Sequence, residues 1–302
     1  MKDNDNIEYI YNTKSLKQQF EMFCKRNNPA NYEIALEFFS VFGGLNRDID
    51  CSKSLESQIE IHILKRYRYI RNDISAITKG DEEAHKILSG IALGDRRTNS
   101  AFKRCKISFD NGIDIIDDQC GLGMLKLEKT LSRLTGIEKD MSISEKLIFT
   151  TPFAHFWFAF VSPIFKGIRD GEFTESLKNF SNKKTEFISF VFEQLCHEVV
   201  KEVYKDDEVK ILGRYWDNSG DIINLLGKTK SGKVLVGDIK YTNSKVKKST
   251  LTKLNEECKS LEIMPHTTLL FSKKGFSNEL KALKSDKLKL FTIKHLKLLH
   301  EL

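Results

Sequence analysis

The chain has 302 residues, 40% hydrophobic and 30% charged, which is enough for two or three domains and excludes a globally disordered polymer. The opening MKDNDNIEYIYNTK lacks the apolar stretch of a signal peptide. The best membrane candidate, FAHFWFAFVSPIF, has 13 residues and is interrupted by His155 and Pro163, so a cytoplasmic protein without a membrane partner is expected. Net charge is +7 but unevenly spread: from Leu226 to Leu302 there are 17 Lys, no Arg and seven acidic residues, an excess of +10 that favours polyanions.

Residues 31–78 have apolar side chains at three and four spacing and predict two helices, NYEIALEFFSVFGGL and SLESQIEIHILKRYRYIRNDISAIT, separated at Gly43 and Gly44. The stretch beginning at Gly80 predicts three short helices, split by Gly94 and by the Ile107–Ser108 junction, then a turn at Gly121 and Gly123 into a strand, Met124 to Glu128. That order suggests a winged helix-turn-helix. Its third helix carries Asp110, Asp114, Asp117 and Asp118, which repel a duplex, so Arg96, Arg97, Lys103 and Arg104 just before it are the better phosphate contacts. The aromatic TTPFAHFWFAFVSPIF reads as core between domains.

Two motif classes are excluded. The six cysteines form no Cys-x-x-Cys pair and no His lies at zinc-ligand spacing. GKTKSGKV has Gly227, Gly232 and Lys233 of a phosphate-binding loop, but Val234 stands where a hydroxyl is required and the segment leads into a strand.

From Lys183 an amphipathic helix, KKTEFISFVFEQLCHEVVKEVY, carries Glu193 away from the centre of its apolar stripe but beside Phe190, Cys196 and Val200. EVKILGRYW and DIINLLG follow as strands, and then VLVGDIKYTNSKV, in which alternation sets Asp238 and Lys240 on one face. A hairpin closed around Thr229 to Ser231 places Asp221 opposite Asp238 or Lys240, with Glu193 approaching from the helix. Carboxylates crowded in this way want a proton or a cation between them, and Mg²⁺ (or Mn²⁺) beside a phosphodiester is the expected occupant, with Lys240 positioning water or offsetting phosphate charge. Arg214, Trp216 and Asp217 either line a cleft or pack.

Glu193, Asp221 and Asp238-Ile239-Lys240, spread over helix, strand and strand, resemble the PD-(D/E)XK nuclease superfamily. FVFEQLCHEVV, ILGRYWDNSGDIINLL, VLVGDIKYTNSKV and the aromatic PFAHFWFAFVSP are similar, more narrowly, to the DUF234 family, a nuclease-like domain found at the end of archaeal-type ATPases after a winged helix. The resemblance implies that Asp221, Asp238 and the Ile239 carbonyl ligate the metal, that Glu193 supports them and that Lys240 is the catalytic lysine. Within these 302 residues no ATPase is expected, and Asp238 stands where the family more often has Glu.

The expected architecture is an α+β multidomain protein, with an N-terminal all-α and winged-helix region followed by an αβββαβ restriction-endonuclease-like domain. Its parts are a helical region (1–80), a winged helix (81–150), an aromatic linker (151–182) and a nuclease-like domain (183–302). The expected activity is metal-dependent hydrolysis of DNA without strict sequence specificity, with Tyr241, Lys245, Lys247 and Lys248 on the phosphate backbone and the N-terminal region docking a protein partner. Oligomerisation is left open. The alternatives are a nuclease-fold module with little or no catalysis that binds DNA or protein, and a winged-helix transcription regulator.

Overall fold

A computed structural model describes residues 14–135 and 143–302. The described chain divides into two compact units, one built from residues 14–128, 144–184 and 302, the other from residues 129–135, 143 and 185–301. The first is α-helical with one small sheet and the second contains a five-stranded mixed sheet, a general α+β multidomain architecture.

In the first unit α1 (Leu16–Asn27) starts at a Ser15–Gln18 capping box, and α2 (Tyr32–Phe42) starts where the Asn31 side chain accepts from the Glu33 and Ile34 amides. Gly44 has φ +97°, and a Cβ there would run into Thr151, so the stop after α2 depends on glycine. The second expected helix is not continuous. It breaks into α3 (Leu55–Ile59), a π-helical turn at Glu60–Leu64 and α4 (Tyr67–Ile77).

The three short helices are α5 (Glu82–Leu93), α6 (Thr98–Cys105) and α7 (Phe109–Gly121), and β1 (Leu125–Glu128) pairs antiparallel with β2 (Lys146–Phe149). All four aspartates of α7 are exposed. Thr151 caps α8 (Pro152–Phe160), with proline in its first turn, and every residue of α8 is buried, so this aromatic stretch is core. After α9 (Phe165–Arg169), α10 (Thr174–Val203) begins nine residues before the expected start at Lys183.

The second unit runs from the later part of α10 through β3 (Val209–Asp217), β4 (Gly220–Thr229), β5 (Val234–Lys240), α11 (Lys248–Ser260), β6 (Thr267–Ser272), α12 (Asn278–Ala282) and β7 (Leu288–Thr292). The sheet order is β3-β4-β5-β6-β7, the first two pairings antiparallel and the last two parallel. One face is sealed by a core of Tyr215, Leu226, Val236 and Leu270 against Leu254 and Cys258 of α11. The other faces α10, where Tyr241 packs on Phe192 and Arg214 pairs with Glu193. The free side of β3 is partly covered: the Leu131 amide donates to the Arg214 carbonyl at 3.0 Å and the Thr130 hydroxyl to the Trp216 carbonyl at 2.8 Å.

Candidate functional site

The carboxyl end of β5 carries the residues that the sequence singles out. Asp238 and Lys240 share a face, as alternation requires, and the Lys240 Nζ lies 2.9 Å from Asp238 Oδ2. The other carboxylate oxygen, Oδ1, accepts from the Ile239 amide at 2.8 Å and from the Asn224 side-chain amide at 2.9 Å. Both oxygens of Asp238 are therefore engaged by donors on its own strand and the next.

Asn224 occupies this place because the β4–β5 ladder pairs Leu225 with Gly237 and Leu226 with Val236. Continued by one residue, that register sets Asn224 across from Asp238, whereas the expected hairpin set Asp221 across from Asp238 or Lys240. Asp221 is instead exposed, near the β3–β4 turn and opposite Trp216, beyond two register shifts. Three strand residues cover about 10 Å.

Glu193 is on the other side of the sheet. Its Oε1 lies 3.0 Å from Arg214 Nη1, and that guanidinium is 3% exposed and sits over the Phe190 ring. Asp238 alternates with Val236 and pairs with Leu270, both on the α11 face, so the sheet stands between Glu193 and Asp238. Of the residues left between cleft and packing, Arg214 and Trp216 are buried, and Asp217 accepts from the Ser219 amide and hydroxyl at the β3–β4 turn.

The expected metal centre is thereby corrected. Among the described residues no three His, Cys, Asp or Glu side chains are grouped so as to hold a metal ion, so Glu193, Asp221, Asp238 and the Ile239 carbonyl do not form a Mg²⁺ or Mn²⁺ site. The physical reasons are a register that brings an amide to Asp238, a sheet that separates Glu193 from it, and a lysine that already neutralises it. Asn224 is the residue that sequence reasoning missed. Its signal was a lone amide inside the apolar run IINLL, since a polar side chain in a half-buried strand needs a cross-strand partner.

Around this pair the carboxyl edge of the parallel strands is basic. The Lys273 amide donates to the Lys240 carbonyl at 3.0 Å, and the Val246 amide donates to the Gly275 carbonyl at 2.9 Å, tying the β5–α11 loop to the loop after β6. Lys245, Lys247 and Lys248 are exposed on that loop and at the start of α11, where Lys247 occupies the cap position without a side-chain cap bond. Lys248 reaches Glu279 at 3.2 Å across solvent-exposed positions. Tyr241 is 5% exposed, its ring covered by Phe192 and by the Lys273 ammonium at 4.5 Å. In the first unit, Arg97 stands 3.9 Å from Asp95, Arg96 is at positive φ, Lys103 is exposed on α6, and Arg104 donates to the Gly90 carbonyl at 2.6 Å.

Residues 157–252 match a family model, DUF234, described as archaea bacterial proteins of unknown function. The matched segment begins in α8 and ends in α11 and thus includes Glu193, Asn224, Asp238 and Lys240. No curated protein and no solved structure matches the chain. No helix among the described residues is long and apolar enough to cross a membrane.

Proposed function

We propose that the second unit is a nuclease-like αβββαβ module that binds DNA through the basic carboxyl edge of its sheet and does not cut it by a metal-dependent route. The observation that carries this reading is the closed Asp238 pair: both oxygens of this carboxylate already face donors, from Asn224, the Ile239 amide and Lys240, and among the described residues no second carboxylate joins it to hold a metal ion. Ligands of open sheets bind outside the carboxyl ends of parallel strands. Here Lys240, Lys245, Lys247, Lys248, Lys273 and Lys274 follow those ends, and electrostatic contact with successive phosphates needs no base-reading helix. In the first unit, the α5–α7 and β1–β2 order is read as a winged-helix-like element whose exposed α7 aspartates turn it away from DNA and toward a protein partner.

The test is a gel shift of the full chain with duplex and single-stranded DNA, in EDTA and then in Mg²⁺, across a salt series. Binding is expected in EDTA, with affinity falling steeply as salt rises, and Lys245→Glu with Lys247→Glu is expected to weaken it and flatten the salt slope. DNA strand cleavage that appears with Mg²⁺ and disappears in Lys240→Ala would overturn the non-cleaving reading. Absence of any shift at low salt would overturn DNA binding.

A further inference from the structure

The first unit contains a cleft of about 650 Å³ walled by α4, α5, α6 and α8, in the size range of small-molecule sites. At its base Tyr67 and Trp157 stack, 5.6 Å apart and 7° from parallel, and their side chains are 5% and 2% exposed. Neither the Tyr67 hydroxyl nor the Trp157 indole N–H hydrogen-bonds to another described residue, although both residues line the cleft. Neither atom is sealed in the core, so both donors open onto the cleft and are placed to meet the acceptors of a bound molecule.

The walls indicate what it is. Arg71, Lys86 and Arg104 all line the cleft, and none has a carboxylate within ion-pair distance among the described residues; Glu82 is the one acid in the lining. Arg104 is held at the wall by its bond to the Gly90 carbonyl, and a Cβ at Gly94 would collide with its guanidinium, so glycine leaves it room. Leu93 and Phe165, 39% and 38% exposed, add apolar surface. Three cations, two unused donors and an apolar wall match an acceptor-rich anion attached to a flat or apolar body.

We infer that this cleft binds a small phosphate ester with a ring-bearing body, of nucleoside-monophosphate size, with its phosphate toward Arg71, Lys86 and Arg104. The site is separate from the DNA-binding reading of the second unit and does not depend on it.

AMP is the probe, titrated into the full chain by calorimetry and by tryptophan emission. Saturable binding is expected, with adenosine binding more weakly, and Arg71→Ala and Lys86→Ala are each expected to weaken AMP about tenfold, the usual cost of one charge-assisted contact. Tyr67→Phe and Trp157→Phe, which keep the rings and remove the donors, are expected to weaken AMP as well, while all four variants retain the wild-type DNA shift. No AMP binding at millimolar concentration overturns the inference, as does binding that survives Arg71→Ala and Lys86→Ala or is abolished instead by Lys245→Glu. A shared fall in thermal stability would identify variants that misfold; the exposed Arg71 and Lys86 variants, matched to wild type by circular dichroism, then decide the outcome.

Discussion

Across β4 and β5 an amide meets a carboxylate at 2.9 Å, and the direction of that bond sets what the pair accepts. Asn224 donates, so together with Lys240 it satisfies Asp238 without a metal ion. Replacing Asn224 by Asp puts two carboxylates at that separation with a single lysine between them and the bulk, and such a pair repels unless a proton or cation intervenes. Asn224→Asp is therefore expected to melt lower than wild type in EDTA and to recover with Mg²⁺ or Mn²⁺, whereas the wild-type melting temperature stays indifferent to both ions. Scanning fluorimetry reads this directly, and a variant insensitive to the ions would mean that Lys240 neutralises both acids. Glu193 makes the opposite case. With Arg214 3% exposed, truncation to Ala leaves Glu193 half-buried without its counter-charge, a loss of about 3 kcal/mol, most of it in stability. Urea unfolding of Arg214→Ala checks the loss. A gel shift matching that of wild type separates this structural role from any part in binding DNA.

Gly237 shows how an element is set by one residue. A Cβ on it would collide with the Leu269 carbonyl of the neighbouring parallel strand, so glycine permits β5 and β6 to approach at the position just before Asp238. Gly237→Ala is expected to destabilise the second unit and to loosen the Lys240–Lys273 backbone bond that shapes the basic edge. Hydrogen exchange at Lys273 should quicken in the variant, and unchanged exchange would refute the argument. At this scale the strands and short helices were legible because period-two and period-3.6 patterns are strong in DIINLLG, VLVGDIK and the segments around Gly94 and Gly121. Registers and breaks were not. The π turn at Glu60–Leu64 lies inside an uninterrupted apolar periodicity, the early start of α10 precedes its most apolar stretch, and the β4–β5 pairing differs from the expected hairpin by a shift that no local residue announces. The candidate site depended on that register. Its members Asp238 and Lys240 were readable from alternation within one strand, while their partner Asn224 required knowledge of which residue stands across the ladder.

Over the whole chain, burial has a further consequence for how the fold responds to acid. His62, His85, His155 and His295 are all pushed below the ordinary histidine range, in each case first by removal from water. His155 goes furthest, to about 3: it is stacked on Phe149 at 5.4 Å, and the Ala92 carbonyl on its Nε2 opposes the shift only partly. In the unfolded chain the same imidazole titrates near 6.5. Between those values the unfolded state takes up a proton that the folded state refuses, so stability is complete above about pH 6.5 and drains away as the pH falls. His155 alone accounts for about 3 kcal/mol of loss at pH 4. The depressed carboxylates act lower: Asp207, held down by the Ser231 hydroxyl and amide and by Lys233, keeps its stabilising charge until the pH drops below the ordinary aspartate range. Thermal melts from pH 8 to 3.5 should therefore show a first decline setting in near pH 6.5, above the range in which Asp207 loses its charge, and a steeper one below pH 4. His155→Phe preserves an aromatic stack on Phe149 and removes the proton acceptor, so it should flatten the first decline and leave the second in place. If the first decline is the same in His155→Phe, the acid sensitivity resides in the remaining buried imidazoles rather than in the aromatic core around α8.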